Sequence, residues 1–284
     1  MRAYTNSKPK SAFSLLIAVI AMVATNAYAD TVSGKILLLG EVHDNPDGHK
    51  QRFEALQKMV QDGWRPAIAM EQFDRETQAA LSKAQAECAD ADCVINAAGG
   101  KRWEWPYYRP VIALALQYKL PLLAANVSRS DASQVMREGF KSVLDKASIT
   151  TYRLDQALPQ DLISGQQQAI ETGHCGKIPA AMVQSMVNAQ VVRDVWMAKI
   201  LADHASRGVV LLAGNGHVRR DLGVPRWLSA SELAGTQVHG YIEPESVQAE
   251  ATASKIYDAT HVIPPHARID PCEAIKPPAP TERK

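Results

Sequence analysis

The sequence predicts an α/β protein with a mostly parallel sheet, flanking helices and a ligand site at the edge where the strands end. Four short apolar runs are each followed at once by polar residues, and helical patterns separate the runs. Parallel strands bring their carboxyl ends to one edge of a sheet, so the polar residues after them are expected to meet there. The four segments are KILLLGEVHD, RPAIAMEQF, KLPLLAANVSR and GVVLLAGNGHVRR.

The polar side chains that come after these strands form the candidate site. Glu41 and His43 are two residues apart, so on a continuing strand they face the same way. Histidines and carboxylates at one edge suit metal binding or acid–base chemistry, whereas the alternative is a set of hydrogen bonds that merely finishes the sheet. The expected set is Glu41, His43, Glu71, Asn126, Arg129, Asn215 and His217.

The sequence indicates where the helices between the strands begin and end. Asn45 is placed to cap a helix whose first residue is Pro46, and Gly63 marks its end. A long helix with apolar residues at three- and four-residue spacing ends at Gly208. We expect residues 88–104 to form a loop or insertion beside the site.

The chain is expected to divide into three parts. Residues 1–29 combine a basic start, a short apolar core and an A-x-A site, which is typical of a cleaved signal peptide. Residues 30–262 form the α/β domain, with TQVHGYIEP as an edge strand, and residues 263–284 form a Pro-rich extended tail.

Cleavage after Ala29 would give a periplasmic or secreted protein. It would also change the net charge from +1 to about −2, which favours no nucleic-acid partner.

Four cysteines remain after that cleavage. An even number in an oxidising compartment indicates two disulfides, for which three pairings are possible. A small loop between Cys88 and Cys93 would leave Cys175 to pair with Cys272. The lack of a C-x-x-C spacing argues against cysteine ligands for zinc.

Aromatic residues are concentrated in the segment WEWPYY. Trp103, Trp105, Tyr107 and Tyr108 form either a packing cluster or a wall for a flat ligand, with a tyrosine as a candidate iron ligand. The absence of C-x-x-C-H means that any haem would be bound non-covalently.

Polar residues also interrupt the long helix. Gln190, Arg193 and Asp194 are three and four positions apart, so Gln190 shares a helix face with both. They form either a solvated stripe or a polar face that is turned toward the site, with Arg193 as an anchor for an anionic ligand.

Five segments in order resemble the ChaN-like haem-binding family, over about Lys35 to about Glu243. They are LLLGEVHDN, AIAMEQF, WPYYRPVIALALQYKLPLLAANVSR, MVNAQVVRDVWMA and LLAGNGHVRRDLGVP. The family shares a superfamily with Tiki-type metalloproteases and erythromycin esterase-like enzymes. The resemblance implies an α/β fold and an extracytoplasmic role in haem or iron uptake. Implied partners are haem, an outer-membrane uptake receptor and a second copy of the chain.

The resemblance also implies residues that would hold haem. The iron would take one axial ligand from a tyrosine or a histidine, and arginines would lie near the propionates. The candidates are His43, Tyr107, Tyr108 and His217 for the iron, and Arg129, Arg193 and Arg219 for the propionates.

Two alternatives to haem binding are consistent with the same residues. In a metal-dependent hydrolase, Zn²⁺ or a similar ion would be held by His43, His217 and one glutamate of the pair Glu41 and Glu71, and the other glutamate would be the general base. In that case Glu41 and Glu71 would be the catalytic residues. In a structural or interaction protein, the polar edge would only cap the sheet.

Overall fold

The computed structural model describes Met1, residues 35–244 and residues 256–274. The chain separates into two compact units, Met1–Thr31 and Val32–Lys284, and the sheet and the candidate site belong to the second unit. The predicted signal peptide falls, apart from Met1, outside the described residues, as does the end of the predicted tail. No helix within the described residues has the length and apolar content needed to span a bilayer.

A parallel sheet forms the centre of the protein, as predicted. Its strands are β1 (Ile36–Leu39), β2 (Ala67–Asp74), β3 (Leu122–Asn126), β4 (Val209–Leu212), β5 (Thr236–Ile242) and β6 (Ala259–Val262). The spatial order is β3-β2-β4-β1-β5-β6, and every neighbouring pair is parallel. All carboxyl ends therefore reach the same edge of the sheet.

The sheet is covered on both faces, which explains why its strands are continuous apolar runs. In β1, Leu37 and Leu39 pack into the core on one face, whereas Ile36 and Leu38 pack into the core on the other. Each of these side chains is almost fully buried, and burying a side chain of this size contributes about 1.5–3 kcal/mol.

Eleven α-helices are found among the described residues. They are α1 (Pro46–Gln61), α2 (Gln78–Glu87), α3 (Ala91–Ala98), α4 (Trp105–Tyr118), α5 (Arg129–Glu138), α6 (Lys146–Thr151), α7 (Gln160–Gly173), α8 (Ala180–His204), α9 (Asn215–Val218), α10 (Ala230–Ala234) and α11 (Pro271–Ala274). The predicted start of α1 is confirmed, since the Asn45 side chain accepts a hydrogen bond from the Gly48 amide and Pro46 is the first helical residue. The long helix is also confirmed: α8 is followed by a short 3-10 turn that ends at Gly208, where φ is +90°.

Two local predictions need correction. The predicted edge strand TQVHGYIEP is β5, which lies inside the sheet, because β6 pairs with its outer side. The predicted loop at residues 88–104 contains the helix α3, whose first turn is capped by the Asp90 carboxylate. The helix sequence, ADCVINAA, is only eight residues long, which is too short for apolar spacing to separate a helix from a loop.

Both favoured disulfides are present. Cys88 pairs with Cys93 and Cys175 with Cys272, at Cα–Cα distances of 5.6 and 5.7 Å. The second bond ties the C-terminal segment to the loop after α7. We call residues 263–272 the C-terminal strap; its first residue, Ile263, is buried in the core.

Candidate functional site

The residues of the candidate site come from three neighbouring strands. Glu41 lies just after β1, Glu71 lies within β2, and His217 lies on the short helix α9 directly after β4. The structure brings these three residues of the predicted set of seven to one edge of the sheet. Glu71 was expected at the end of its strand, but β2 continues to Asp74 with a shift of its pairing to β3 after Met70.

Glu41 is the centre of a buried network that we call the Glu41 cluster. Its members are Glu41, His43, His49, Arg52, Gln72 and Tyr108. The Tyr108 hydroxyl donates to Glu41 Oε1 at 2.6 Å, Gln72 Nε2 donates to the same oxygen at 3.2 Å, and the Arg52 guanidinium donates to Oε2. His43 Nδ1 lies 2.8 Å from Oε1. Glu41 thus has four side-chain partners and is 1% exposed.

Two members of this cluster come from α1. Arg52 is fully buried, and burial lowers its pKa to about 10, which still leaves it charged at neutral pH. His49 lies 3.0 Å from Arg52 and 2.9 Å from the His43 carbonyl oxygen. His49 is therefore buried in the network, although a histidine on a helix next to a loop is commonly solvated. The available signal was that both residues share the apolar stripe of α1 with Leu56 and Val60.

His43 is the member of the Glu41 cluster that reaches the protein surface. Its side chain is 48% exposed, and Nδ1 is engaged with Glu41, which leaves Nε2 as the nitrogen available to a ligand. Gly214 lies beside that nitrogen: a Cβ at position 214 would come within 2.9 Å of His43 Nε2. The missing side chain therefore keeps the space at Nε2 open.

A second network, the His217 cluster, consists of Glu71, Arg193, Asp194 and His217. His217 Nδ1 lies 2.6 Å from Asp194 Oδ1, and Nε2 lies 3.7 Å from Glu71 Oε1. The other oxygen of Glu71 accepts a hydrogen bond from the Gly214 amide at 2.8 Å. The imidazole thus stands between two carboxylates and is 13% exposed.

The two carboxylates determine the charge of this cluster. Burial alone would lower the pKa of His217, but Asp194 and Glu71 outweigh it and raise that pKa above its usual value. Burial would raise the pKa of Glu71, but His217, His43 and the Gly214 amide leave it below its usual value. Burial raises the pKa of Asp194, although the charge of His217 and its hydrogen bond act in the opposite direction. Hydrogen-bonded imidazoles facing a carboxylate can exchange protons with a ligand.

The three arginines predicted for an anionic ligand lie in different surroundings. Arg193 is half-buried, and the charges of Glu71 and Asp194 act on it. Arg219 forms a two-point ion pair with Asp221 and lines a cavity of about 200 Å³ together with His217. Arg129 is exposed at the start of α5. Of these three, Arg193 belongs to the His217 cluster and Arg219 adjoins it.

The two tyrosines also differ. Tyr108 is fully buried, its hydroxyl is bonded to Glu41, and burial raises its pKa, which disfavours a phenolate. Tyr107 is half-buried and stacks on His49 with ring centroids 4.7 Å apart. Trp103 contacts His43 edge-on at 5.1 Å. The packing interpretation therefore applies to Tyr108, whereas the ligand wall stays a prediction for Tyr107 and Trp103.

The two predicted asparagines bond mainly to the backbone. Asn215 donates to the Tyr241 carbonyl oxygen at 2.6 Å, and the Asn126 side chain accepts from the Val127 amide. They hold the loops after β3 and β4.

An open groove of about 550 Å³ lies over the site. It is lined by Glu41, Val42, His43, Asp44, Gly214, Asn215, Gly216, His217, Ile242 and Arg268. Arg268 belongs to the C-terminal strap and pairs with Asp44 at 2.8 Å and with both oxygens of Glu243 at 2.6 and 2.9 Å. The strap therefore forms one rim of the groove.

The described residues contain no group of three or more histidine, cysteine, aspartate or glutamate side chains placed to hold a metal ion. Glu41 accepts from Arg52, Gln72 and Tyr108, which occupies the oxygens that an ion would need. The predicted metal-ligand set of Glu41, His43, Glu71 and His217 stays a prediction.

These features describe an α/β protein with an exposed, carboxylate-oriented histidine at the carboxyl edge of a parallel sheet. The chain belongs to the family described as haem-binding uptake, Tiki superfamily, ChaN, whose model matches residues 28–228. The predicted family and fold class are thereby confirmed.

Solved structures resemble this fold. Campylobacter jejuni ChaN, described as showing cofacial haem binding, is 23% identical with a TM-score of 0.59, over 75% of this chain and 82% of that chain. An erythromycin esterase mutant in its open conformation is 13% identical with a TM-score of 0.44, over 76% and 72% of the two chains. No curated protein matches the chain.

Proposed function

We propose that this chain is an extracytoplasmic protein that binds haem for uptake or handling of haem iron. Membership of a haem-binding uptake family supports haem as the ligand. The signal-peptide pattern and the two disulfides support a location outside the cytoplasm. A second copy of the chain and an outer-membrane uptake receptor are the proposed partners.

The observation that carries the proposal is the state of His43. A haem iron needs one accessible donor atom, and a histidine ligand is strengthened when its other nitrogen is bonded to a carboxylate. His43 has Nδ1 bonded to Glu41, a half-exposed ring, and open space at Nε2 that a Cβ on residue 214 would fill. These features fit an axial ligand.

The neighbouring residues fit the remainder of a haem. Trp103 and Tyr107 offer aromatic surface beside His43 and His49. Arg193 and Arg219 are the cations that would take carboxylates, since guanidinium groups pair well with them. Bound haem would supply a redox-active iron, while the chain holds and orients it. Tyr107 is the second candidate for the iron, and Tyr108 is disfavoured because it is buried.

A pair of glycine substitutions tests this arrangement. In Gly214→Ala the new methyl group would lie 2.9 Å from His43 Nε2, whereas in Gly216→Ala it would meet no atom within 4 Å. Overpacking of this kind costs about 1–3 kcal/mol, and about 1.4 kcal/mol corresponds to a tenfold change in Kd. We expect haemin titration, followed by the Soret band, to show about tenfold weaker binding for Gly214→Ala and no change for Gly216→Ala.

Substitution of the proposed ligand completes the test. His43→Ala should weaken haemin binding and shift the Soret maximum, whereas His204→Ala, at the far end of α8, should do neither. A protein that fails to bind haemin saturably would contradict the proposed function. Saturable binding that only Tyr107→Phe weakens would instead assign the iron to the tyrosine.

Location and partners require separate measurements. N-terminal sequencing of the exported protein should give Asp30 as the first residue if the signal peptide is cleaved as expected. Light scattering with and without haemin would show whether haem binding brings two copies together. The metal-dependent hydrolase is not favoured, because the described residues offer no metal cluster.

A further inference from the structure

Two histidines meet on the outer strands of the sheet, apart from the site described above. His239 lies on β5 and His261 on β6, and the two strands pair in parallel with Tyr241 opposite His261. His239 Nδ1 and His261 Nε2 are 3.2 Å apart. Both rings are partly exposed. Both residues also lie beyond the segment 28–228 that matches the family.

The separation of the two nitrogens is that of two ligands on one ion. Zinc and similar ions bind imidazole nitrogen at about 2.0–2.1 Å. Two such bonds at an angle of about 100° place the nitrogens about 3.2 Å apart, by the same bond lengths. The same separation is a hydrogen-bond distance, so a bound ion would replace that hydrogen bond and the two nitrogens would turn toward the ion.

The His261 ring is also held in place before any ion binds. His261 stacks on Tyr241 with ring centroids 4.5 Å apart and an interplanar angle of 14°. Tyr241 is itself buried in the core. Ligands that are already oriented lose less conformational freedom on binding.

We propose that His239 and His261 form a two-histidine site for a borderline transition-metal ion such as Cu²⁺, Ni²⁺ or Zn²⁺. Imidazole suits these ions, and Cu²⁺ is bound most tightly among them. Water or a group from a second molecule completes the coordination. The site is independent of haem binding.

The charge state of the pair supports this site. A metal needs neutral imidazoles. Burial lowers the pKa of both histidines, and the charges of His261 and Lys35 lower that of His239 further, whereas Asp258 acts in the opposite direction. Asp258 is itself paired with Arg220.

Copper binding tests the proposal on the full chain without an affinity tag. We expect one equivalent of Cu²⁺ by titration calorimetry, with nitrogen hyperfine structure from two imidazoles in the electron paramagnetic resonance spectrum. His239→Gln and His261→Gln should each weaken binding at least about tenfold, as loss of a ligand does. His174→Gln and His204→Gln, which remove histidines elsewhere on the surface, should leave it unchanged.

The remaining outcomes overturn the proposal or separate it from haem binding. Equal Cu²⁺ affinity in wild type and His261→Gln would mean an adventitious ion only, and no saturable binding would rule the site out. His43→Ala should keep Cu²⁺ binding, and His261→Gln should keep haemin binding. Loss of Cu²⁺ binding in His43→Ala would show that copper binds at the candidate haem site. That result would refute a separate site at His239 and His261.

Discussion

The Glu41 cluster and the His217 cluster lie at the same sheet edge but differ in how fully their carboxylates are used. Glu41 has four side-chain partners and no access to water. Glu71 accepts one backbone amide, and its other oxygen lies 3.7 Å from His217, beyond hydrogen-bond distance. One carboxylate is satisfied inside the protein, whereas the other retains an oxygen for a ligand or a proton.

Position at the sheet edge therefore does not by itself make a residue a ligand. The saturated Glu41 orients His43, which is the exposed member of its cluster. The open Glu71 and the His217–Asp194 pair are the groups that can respond to what enters the groove. Removing partners from the two clusters should affect different properties.

The largest effect is expected from Arg52→Ala. It leaves the Glu41 charge buried without its cation, and breaking a buried ion pair costs about 3–5 kcal/mol. Arg193→Ala is the matched variant in the His217 cluster, because Arg193 forms no ion pair within 4 Å among the described residues, and it should cost about 1 kcal/mol or less. Urea unfolding measures both. Equal losses would contradict the distinction between a saturated and an open cluster.

A smaller effect is expected on the titration of His217. Against the effect of burial, Asp194 and Glu71 hold the pKa of His217 above its usual value, so Asp194→Asn should lower that pKa through the loss of an adjacent opposite charge. Nuclear magnetic resonance of the imidazole protons over a pH series would track this change. Asp221→Asn removes an ion-pair partner of Arg219 and should leave the pKa of His217 unchanged.

The smallest effect concerns the rim beside the Glu41 cluster. Arg268, followed by Asn45 and the His266 amide, lowers the pKa of Glu243 from 4.5 to about 2 against the effect of burial. Because the pKa of Glu243 is lower in the folded state than in the unfolded state, ionised Glu243 stabilises the folded state above pH 4.5. This stabilisation is lost as the pH falls toward 2. Glu243→Gln should reduce stability at pH 7 and flatten the loss between pH 4.5 and 2, as thermal unfolding over that range would show. An unchanged acid profile would mean that the strap contributes nothing there.

Much of the fold could be predicted because its signals are local. The apolar runs of β1 and β4 are buried on both faces, and the cap at Asn45 depends on residues within one turn. The prediction failed where the signal was short or distant. The helix α3 has eight residues, and β5 became an interior strand only because β6, with its four residues, pairs beside it.

The position of the site could be predicted, but the hydrogen-bond and ion-pair partners of its residues could not. His43, Glu71 and His217 could be placed at one edge because parallel strands share their direction. Arg52 and Asp194 could not be assigned, because a polar residue on an apolar helix stripe can face either solvent or a buried counter-charge.

The order of the residues was enough to establish that four parallel strands end in polar side chains and that the cysteines are even in number. Hydrophobic periodicity and residue type carry this information, since both act over a few residues. Tertiary packing alone established that Glu41 is saturated by four partners while His43 is left exposed. Those contacts join residues up to 67 positions apart, and no local pattern specifies which distant donor reaches a given oxygen.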